Sequence, residues 1–458
     1  MKKYILLSFS FVVLSSAAQV SNQTPPPLEG LVEALTLEQI LDSARHNNIA
    51  VRSARQNVKA ASQQRKEAFT KYFPNISGTG LWFNANKGMA QTTIIPSEAI
   101  PSSLASSLVT TLPAEALAAL ANPISVSMLK NGTIAGITAM QPVFAGGQIV
   151  NGNRLARVGE DVARLQLQLS ENEVEKTAEQ YYWQLVSLQE KMKTVAAVEV
   201  LLNDIHKDVD VAVRAGVALR NDLLQVGLRQ NEVESQRLKL QNGISIVKLL
   251  LTQYCGLRDT CFVLSHNADE EGPVAIRQDH RQALLTTPEY QLLGKQVEVT
   301  RLQRNMEIGK NLPTIAVGAG YNYHNLLDNN HTFGMLFATI SVPISDWWGG
   351  SHAVKRKKIA YLTAVDEQKD KAELLTIRMQ KAWNDVVEAR QQLQIARRSI
   401  EQSEENLRLN RDRYRAGTCR MSDLLEAQLL YQQSCDKHTD AYADLQIKLL
   451  DYKLSTGQ

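Results

Sequence analysis

The sequence has little of what marks several common protein classes. Only four of its 458 residues are cysteine, which excludes a disulfide-stabilised scaffold. Its 50 lysines and arginines nearly balance 47 aspartates and glutamates, so no excess of positive charge indicates a nucleic-acid partner. The motifs of phosphate-binding loops, zinc proteases and Cys-x-x-Cys sites are also absent from the sequence. We therefore expect a protein that is not an enzyme and has no cofactor and no metal site.

Long hydrophobic runs are missing as well, apart from the first residues. Lys2 and Lys3 precede an apolar stretch over residues 5–14 and a small-residue cleavage site at residues 16–18. This pattern predicts a secretory signal peptide over residues 1–18. No later run reaches the roughly 18 apolar residues of a transmembrane helix. Any insertion of the mature chain into a membrane would therefore have to use β-strands.

The rest of the chain consists of two copies of one pattern. Phe-Pro-Asn-Ile at residues 73–76 corresponds to Leu-Pro-Thr-Ile at residues 312–315. Arg-Ala-Gly at residues 214–216 likewise corresponds to Arg-Ala-Gly at residues 415–417, and an Asp-Leu-Leu triplet follows each. Landmarks that recur in the same order indicate a structural duplication. Each copy is predicted to run helix, β-hairpin, long helix, turn, helix.

Two segments are too long for the helices of an ordinary globular domain. Residues 152–214 contain no proline, and residues 351–415 contain neither proline nor glycine. At about 1.5 Å per residue each could span roughly 100 Å. Apolar residues recur every seven positions in the second segment, at Met379, Val386, Leu393, Ile400, Leu407 and Tyr414. This spacing predicts a coiled-coil or tubular helical assembly, with an ordinary antiparallel coiled coil as the alternative.

The residues after Pro313 alternate as β-strands do. Apolar side chains share one face and small or polar ones the other, with aromatic residues at one end, which is typical of membrane β-barrel strands. The predicted lipid face comprises Ile315, Val317, Tyr321, Tyr323, Leu336, Ile340 and Val342. The first copy offers residues 76–83 and 133–144, separated by a long insertion that we interpret as a loop with a helical turn near residues 114–121. A soluble hairpin packed on the helices is the alternative.

The turns that follow the long helices are well specified. Gly216 and Gly417 can adopt the left-handed conformation that ends a helix. Asn221-Asp222 and Ser422-Asp423 then offer N-cap acceptors for the next helix. Asp222 and Asp423 are explained by capping alone, or they also surround the narrow end of a tube, where negative charge would favour cations.

Two pairs of side chains are candidates for a disulfide or a metal site. Cys255 and Cys261 flank a turn, and the sequence leaves open whether they form a disulfide or remain two buried thiols. His324 and His331 flank a short loop and are interpreted as surface residues rather than as metal ligands.

In the order and duplication of these motifs, the sequence resembles the TolC-like outer-membrane efflux proteins. The resemblance rests on the duplicated plan, on Leu-Thr-Leu-Glu-Gln at residues 35–39, on the Pro-Thr-Ile hairpin entry and on the two Arg-Ala-Gly turns. It implies a mainly α fold with a β-barrel part. Three copies would give four strands each to a 12-stranded outer-membrane barrel, which continues as a periplasmic α-helical barrel.

The resemblance also implies a function. The homotrimer would lie in the outer-membrane lipid and extend into the periplasm, as the exit duct of a tripartite efflux or type I secretion system. It would dock a periplasmic adaptor that bridges to an inner-membrane transporter. The residues that contact the adaptor would be Arg214, Ala215, Gly216, Arg415, Ala416 and Gly417, with Asp222 and Asp423 at the periplasmic aperture. A structural coiled-coil envelope protein is the alternative, and the substrate (drug, metal or protein) is left open.

The expected division of the chain follows from the repeat. It comprises a signal peptide (1–18), an N-terminal segment with the first periplasmic helices (19–73), a first hairpin with a long extracellular loop (74–144, loop 85–131), a first long helix with tip and return helix (145–254), an equatorial linker (255–280), the helices of the second repeat (281–312), a second hairpin (313–344), and a second long helix with tip and C-terminal helix (345–458).

Overall fold

The computed structural model describes residues 33–95, 113, 115, 122, 124–265, 276–326 and 329–457. The predicted signal peptide lies outside these residues, as do residues 114 and 116–121, on which the predicted helical turn falls. The helices of the described part are α1 (Leu37–Asn47), α2 (Ile49–Thr70), α3 (Gln148–Arg214), α4 (Arg220–Cys255), α5 (His280–Thr286), α6 (Pro288–Lys310), α7 (Asp346–Arg415) and α8 (Met421–Ser455). The strands are β1 (Glu33–Leu35), β2 (Asn75–Asn84), β3 (Ala90–Ile94), β4 (Ile124–Met128), β5 (Asn131–Ala145), β6 (Phe262–Leu264), β7 (Thr314–Leu326) and β8 (Asn329–Ser341).

The first helix begins with a reciprocal pair of hydrogen bonds. The backbone N–H of Gln39 donates to Thr36 Oγ1 at 3.3 Å, and the backbone N–H of Thr36 donates to Gln39 Oε1 at 2.9 Å. Each side chain thus satisfies a backbone group at the helix start, which is the capping box that a Thr-x-x-Gln sequence predicts. In this way α1 starts directly after the short strand β1.

The two long helices dominate the molecule. Helix α3 has 67 residues and α7 has 70, and they end at Arg214 and Arg415 as predicted. Gly216 and Gly417 follow with φ of 76° and 73°, the left-handed values that a residue with a side chain seldom adopts. The chain then reverses into α4 or α8. No helix of the described residues is long and apolar enough to cross a membrane.

The seven-residue repeat of α7 forms a partly buried seam, in which Leu393, Ile400 and Tyr414 are half-buried. Met379, Val386 and Leu407 are 1%, 3% and 9% exposed, and the intervening Ala389 and Ala396 are buried too. Alternating large and small side chains let neighbouring helices approach closely, as the spacing predicted. The largest core cluster lies where α1, α3 and α4 meet and includes the fully buried side chains of Ile40, Leu185 and Leu251.

The two hairpins form one antiparallel sheet with strand order β2–β5–β7–β8. The hairpins meet through β5 and β7, which pair along nearly their whole length. Strand β8 ends at Ser341, so Val342, predicted as part of the lipid face, lies one residue beyond the strand. Pro343 explains this end, because proline has no N–H to offer to a neighbouring strand.

Two small sheets complete the fold, and the sequence did not indicate either. Strands β3 and β4 pair antiparallel within residues 85–131, so part of the predicted loop is a hairpin extension. Strands β1 and β6 form a two-stranded parallel sheet that joins the N-terminal segment to the stretch after α4. Strands of three to five residues carry too little alternation to be recognised in a sequence.

Candidate functional site

One face of the four-stranded sheet carries large apolar side chains that no other described part of the chain covers. Leu336, Ile340 and Tyr321 are 87%, 71% and 63% exposed. Val317 on β7 belongs to the same face and is also exposed, whereas Ile315 and Tyr323 are half-buried. The other strands continue the exposed apolar surface with Ile76, Trp82 and Ile137. An exposed apolar surface of this kind is suited to contact with lipid or with another protein.

The opposite face is filled differently. Gly318 pairs with Phe337, and a Cβ on Gly318 would collide with the end of the Phe337 ring. Glycine therefore makes room for an aromatic ring on this face. Thr138 and Asn322 add polar groups to the same face.

Both edges of the sheet are open within the chain. Strands β2 and β8 each have one partner, β5 and β7 respectively. Every residue of β2 except Phe83 is exposed, and so is every residue of β8 except Phe337. Each outer edge therefore presents backbone N–H and C=O groups that lack a strand partner in the described chain.

Aromatic side chains cluster where the strands meet the helices. Phe69 packs edge-to-face against Tyr72 and Phe73 at the end of α2. At the start of α7, Trp348 is 79% exposed and Trp347 donates its indole N–H to the backbone oxygen of Asn311 at 2.9 Å. Exposed aromatic rings at one level are typical of a boundary between apolar and aqueous surroundings.

At the far end of the helices the two Arg-Ala-Gly turns lie close together. Arg214 pairs with Asp210 of its own helix at 2.8 Å, and Arg415 approaches Asp208 of the other repeat at 3.9 Å. All but Asp210 have largely exposed side chains, so these pairs contribute little to stability. A cleft of about 1000 Å³ lies between the turns, and Ala416 and Gly417 line it.

The aspartates after the turns are in the first turn of the helices rather than at the N-cap. The N-cap residues are Leu219 and Arg420, and their backbone N–H groups donate to Asp222 Oδ2 at 3.3 Å and to Asp423 Oδ2 at 3.4 Å. The predicted caps at residues 221–222 and 422–423 are therefore wrong in position. The carboxylates instead stabilise the helix start from the third helical residue, as the acidic half of a capping box does.

A buried polar network joins α4 and α8, the helices that follow the two Arg-Ala-Gly turns. No pattern in the sequence indicated it. Arg229 on α4 is 8% exposed and donates to Gln428 Oε1 at 3.0 Å and to Gln432 Oε1 at 2.8 Å on α8. Gln432 in turn donates to Gln236 Oε1 at 2.8 Å. Because these glutamines look like ordinary surface residues in a sequence, only the packing of α4 against α8 identifies them.

Two buried carboxylates on α3 have opposite electrostatic environments. Arg65 and Arg164 hydrogen-bond Glu160 and hold the pKa of its carboxyl below the ordinary value. Burial raises the pKa of Glu179, which accepts a hydrogen bond from Trp183 Nε1 at 3.0 Å. Glu160 is thus stabilised in its charged form, and Glu179 is not.

The four cysteines are free thiols. The disulfide between Cys255 and Cys261 is not formed, and the alternative of two buried thiols is correct only for Cys255, because Cys261 is exposed. Burial raises the pKa of the Cys255 thiol to about 12, so this group is an inert part of the core. No group of three or more metal-ligating side chains occurs among the described residues.

Part of the chain matches a known protein family. Residues 281–458 match the family model of the outer membrane efflux proteins. The resemblance to TolC-like outer-membrane efflux proteins is confirmed. The family consists of efflux ducts rather than enzymes. No curated protein matches the sequence.

Solved outer-membrane channels have the same fold as this chain. The outer-membrane channel OprN superposes with a TM-score of 0.75 at 15% identity, over 92% of this chain and 89% of that one. VceC from Vibrio cholerae gives 0.71 at 14% identity, over 92% and 96%. The open state of the Neisseria gonorrhoeae MtrE channel gives 0.69 at 13% identity, over 92% and 88%. The fold therefore extends across both repeats, beyond the part that the family model matches.

Proposed function

We propose that three copies of this chain form an outer-membrane channel, the exit duct of a tripartite efflux or type I secretion system. The open edges of β2 and β8 carry this proposal. In lipid, an unpaired backbone group costs several kcal/mol, so a sheet with two open edges has no stable place there. Joining the edges of neighbouring copies removes the cost.

The directions of the strands fit such closure. Each neighbour in the order β2–β5–β7–β8 is antiparallel, so β2 and β8 run in opposite directions. Strand β8 of one copy can therefore pair antiparallel with β2 of the next. Four strands are fewer than the eight of the smallest membrane barrels, whereas three copies supply twelve.

The two faces of the sheet fit a barrel wall. The face with Leu336, Ile340 and Tyr321 would contact lipid, together with the other predicted lipid-facing residues. The aromatic residues around Phe69 and Trp348 would lie at the periplasmic boundary of the outer membrane. The long helices α3 and α7 would then extend into the periplasm as the wall of a tube.

The turns at residues 214–216 and 415–417 are the proposed contact with a periplasmic adaptor, which would link the duct to an inner-membrane transporter. Both turns are exposed and lie at the end far from the sheet, and residues 415–417 also line a cleft. Asp222 and Asp423, directly beyond them, would surround the closed aperture. Adaptor binding would favour a dilated state of this end.

Mass and conductance test the channel. Detergent-extracted wild-type protein is expected to run as a trimer in native mass spectrometry and to produce stepwise currents in planar bilayers. A folded monomer without conductance would contradict the proposal and would favour the alternative, a structural coiled-coil protein of the envelope.

Paired substitutions test the adaptor contact. Arg214→Glu with Arg415→Glu should weaken adaptor engagement and raise drug sensitivity in a drug-exporting system, with the trimer intact in native mass spectrometry. Arg220→Glu, on the first turn of α4, is a control for added negative charge near the same end. Unchanged adaptor binding in the double variant would exclude these arginines from the contact.

A further inference from the structure

The four-stranded sheet has a single notable concentration of ionisable groups. Strands β2, β5, β7 and β8 contain no Asp, Glu, Lys or Arg. Their two histidines, His324 on β7 and His331 on β8, are directly opposite one another in the register of the hairpin. Directly opposed residues of an antiparallel pair project to the same face, so both imidazoles lie on the side opposite the exposed apolar residues.

The two rings are close enough to share a metal ion. Their centroids are 5.3 Å apart and their planes are inclined by 45°. A Zn²⁺ ion bound at about 2.0–2.1 Å from a ring nitrogen lies roughly 3.2 Å from the ring centroid, so two tetrahedrally arranged imidazoles have centroids about 5.2 Å apart. The observed separation agrees with this value.

One ring nitrogen has no partner among the described residues. His324 Nδ1 is enclosed by protein and has no hydrogen bond. A buried polar atom without a partner is costly, and a bound cation would satisfy it. The strand neighbour of His324 on the other side is Ile134, so no protein group on β5 competes for this nitrogen.

We propose that His324 and His331 form a two-histidine site for Zn²⁺, which Cu²⁺ can replace as a spectroscopic probe. Imidazole is a preferred ligand for these ions, whereas Mg²⁺ and Ca²⁺ prefer oxygen ligands. Water or a transported molecule would occupy the remaining coordination positions. The ion would tie β7 to β8 beside their connecting turn, at the end of the sheet far from the helices.

The site does not depend on the proposed channel, although a trimer would bring three of these sites to its outer mouth. It also reverses the interpretation of these histidines as simple surface residues. The signal that could have revealed it is the pairing of the only two histidines of the hairpin across its turn.

Cu²⁺ titration of the detergent-solubilised full-length protein tests the site. We expect calorimetry to give one tightly bound Cu²⁺ per chain, and electron paramagnetic resonance to give coupling to two imidazole nitrogens. His331→Ala and His324→Ala should each remove this equivalent. His352→Ala, an exposed histidine on α7, is the matched control and should retain it.

Since His331 is exposed, its substitution is expected to leave the fold intact, as trimer migration and circular dichroism would verify. The ring centroid of Phe333 lies 6.2 Å from that of His324 and 6.1 Å from that of His331. If the three rings only pack on one another, Cu²⁺ binding will be the same in wild type and His331→Ala. That result, or a wild-type spectrum without two-nitrogen coupling, overturns the proposal.

Discussion

The sheet and the helices of this chain treat charge in opposite ways. The four long strands contain no Asp, Glu, Lys or Arg, and they expose side chains such as Leu336 to their surroundings. The helices carry charged groups on their surfaces and also inside, where Glu160, Glu179 and Arg229 are less than one-tenth exposed. One region thus lacks the groups that water solvates, and the other includes them even in its packing.

This contrast supports the proposal that the two regions lie in different solvents. A surface without charge and with exposed leucine and isoleucine is stable against lipid. Helices whose buried charged groups are hydrogen-bonded, as Glu160, Glu179 and Arg229 are, are compatible with surrounding water. The aromatic residues around Trp347 lie at the level where one region gives way to the other.

The largest expected effect comes from placing a charge on the proposed lipid face of the sheet. Leu336→Arg should reduce the stability of the membrane-inserted protein by about 2–4 kcal/mol per chain, because the guanidinium would face hydrocarbon. Folding into lipid vesicles, followed by heat-modifiable gel migration and urea titration, measures this loss.

Met335→Arg is the matched control, since Met335 is the adjacent residue and projects to the opposite face. We expect its inserted state to lose clearly less stability. Equal losses in both variants would show that the two faces do not differ in solvent, and the comparison between sheet and helices would fail.

The next effect comes from removing a buried charge from the helices. Arg229→Ala should destabilise the helical region by about 2–3 kcal/mol, because it leaves Gln428 Oε1 buried without its donor. Denaturant titration with hydrogen exchange along α4 and α8 would detect the loss.

Glu232→Gln controls for the loss of charge alone. Glu232 also pairs with Arg229, but its side chain is 64% exposed, so its substitution should change stability by at most about 1 kcal/mol. If Arg229→Ala lowers the free energy of unfolding no more than this control does, the buried network does not stabilise the contact between α4 and α8.

The smallest effect is a difference in pH dependence between two carboxylates of α3. The lowered pKa of Glu160 stabilises the fold above the ordinary carboxyl value of 4.5, and this contribution is lost as pH falls through the native pKa. Glu160→Gln should therefore be less stable than wild type at pH 7, with the difference shrinking below pH 4.5.

Glu179 should behave in the opposite sense. Its raised pKa means that keeping it ionised costs stability at neutral pH, and protonation removes that cost. Glu179→Gln should be at least as stable as wild type at pH 7 and should converge with it in acid. Denaturation midpoints of the three proteins against pH would show this. Two losses of stability at pH 7 would contradict the assignment of Glu179, and two gains would contradict that of Glu160.

Much of the fold could be predicted because it depends on local regularities. Each long proline-free run contains one glycine, Gly216 or Gly417, that permits the chain to reverse, and both long helices end just before it, at Arg214 and Arg415. Alternation after Pro313 likewise predicted a strand that the structure contains. The N-cap positions at Leu219 and Arg420 were missed, because neither side chain is a typical N-cap acceptor. There an aspartate three residues later accepts a hydrogen bond from the backbone N–H of the N-cap residue.

Local patterns account for the helix lengths, the turns and the alternating faces of the strands, since each depends on neighbours a few residues apart. The repeat follows from comparing the two halves of the chain. Only the tertiary structure decided that the hairpins join through β5 and β7, that Arg229 meets glutamines of the other repeat, and that His324 lies opposite His331 in one register. These are contacts between distant segments or exact registers. Their energies depend on how whole elements pack, which no local pattern encodes.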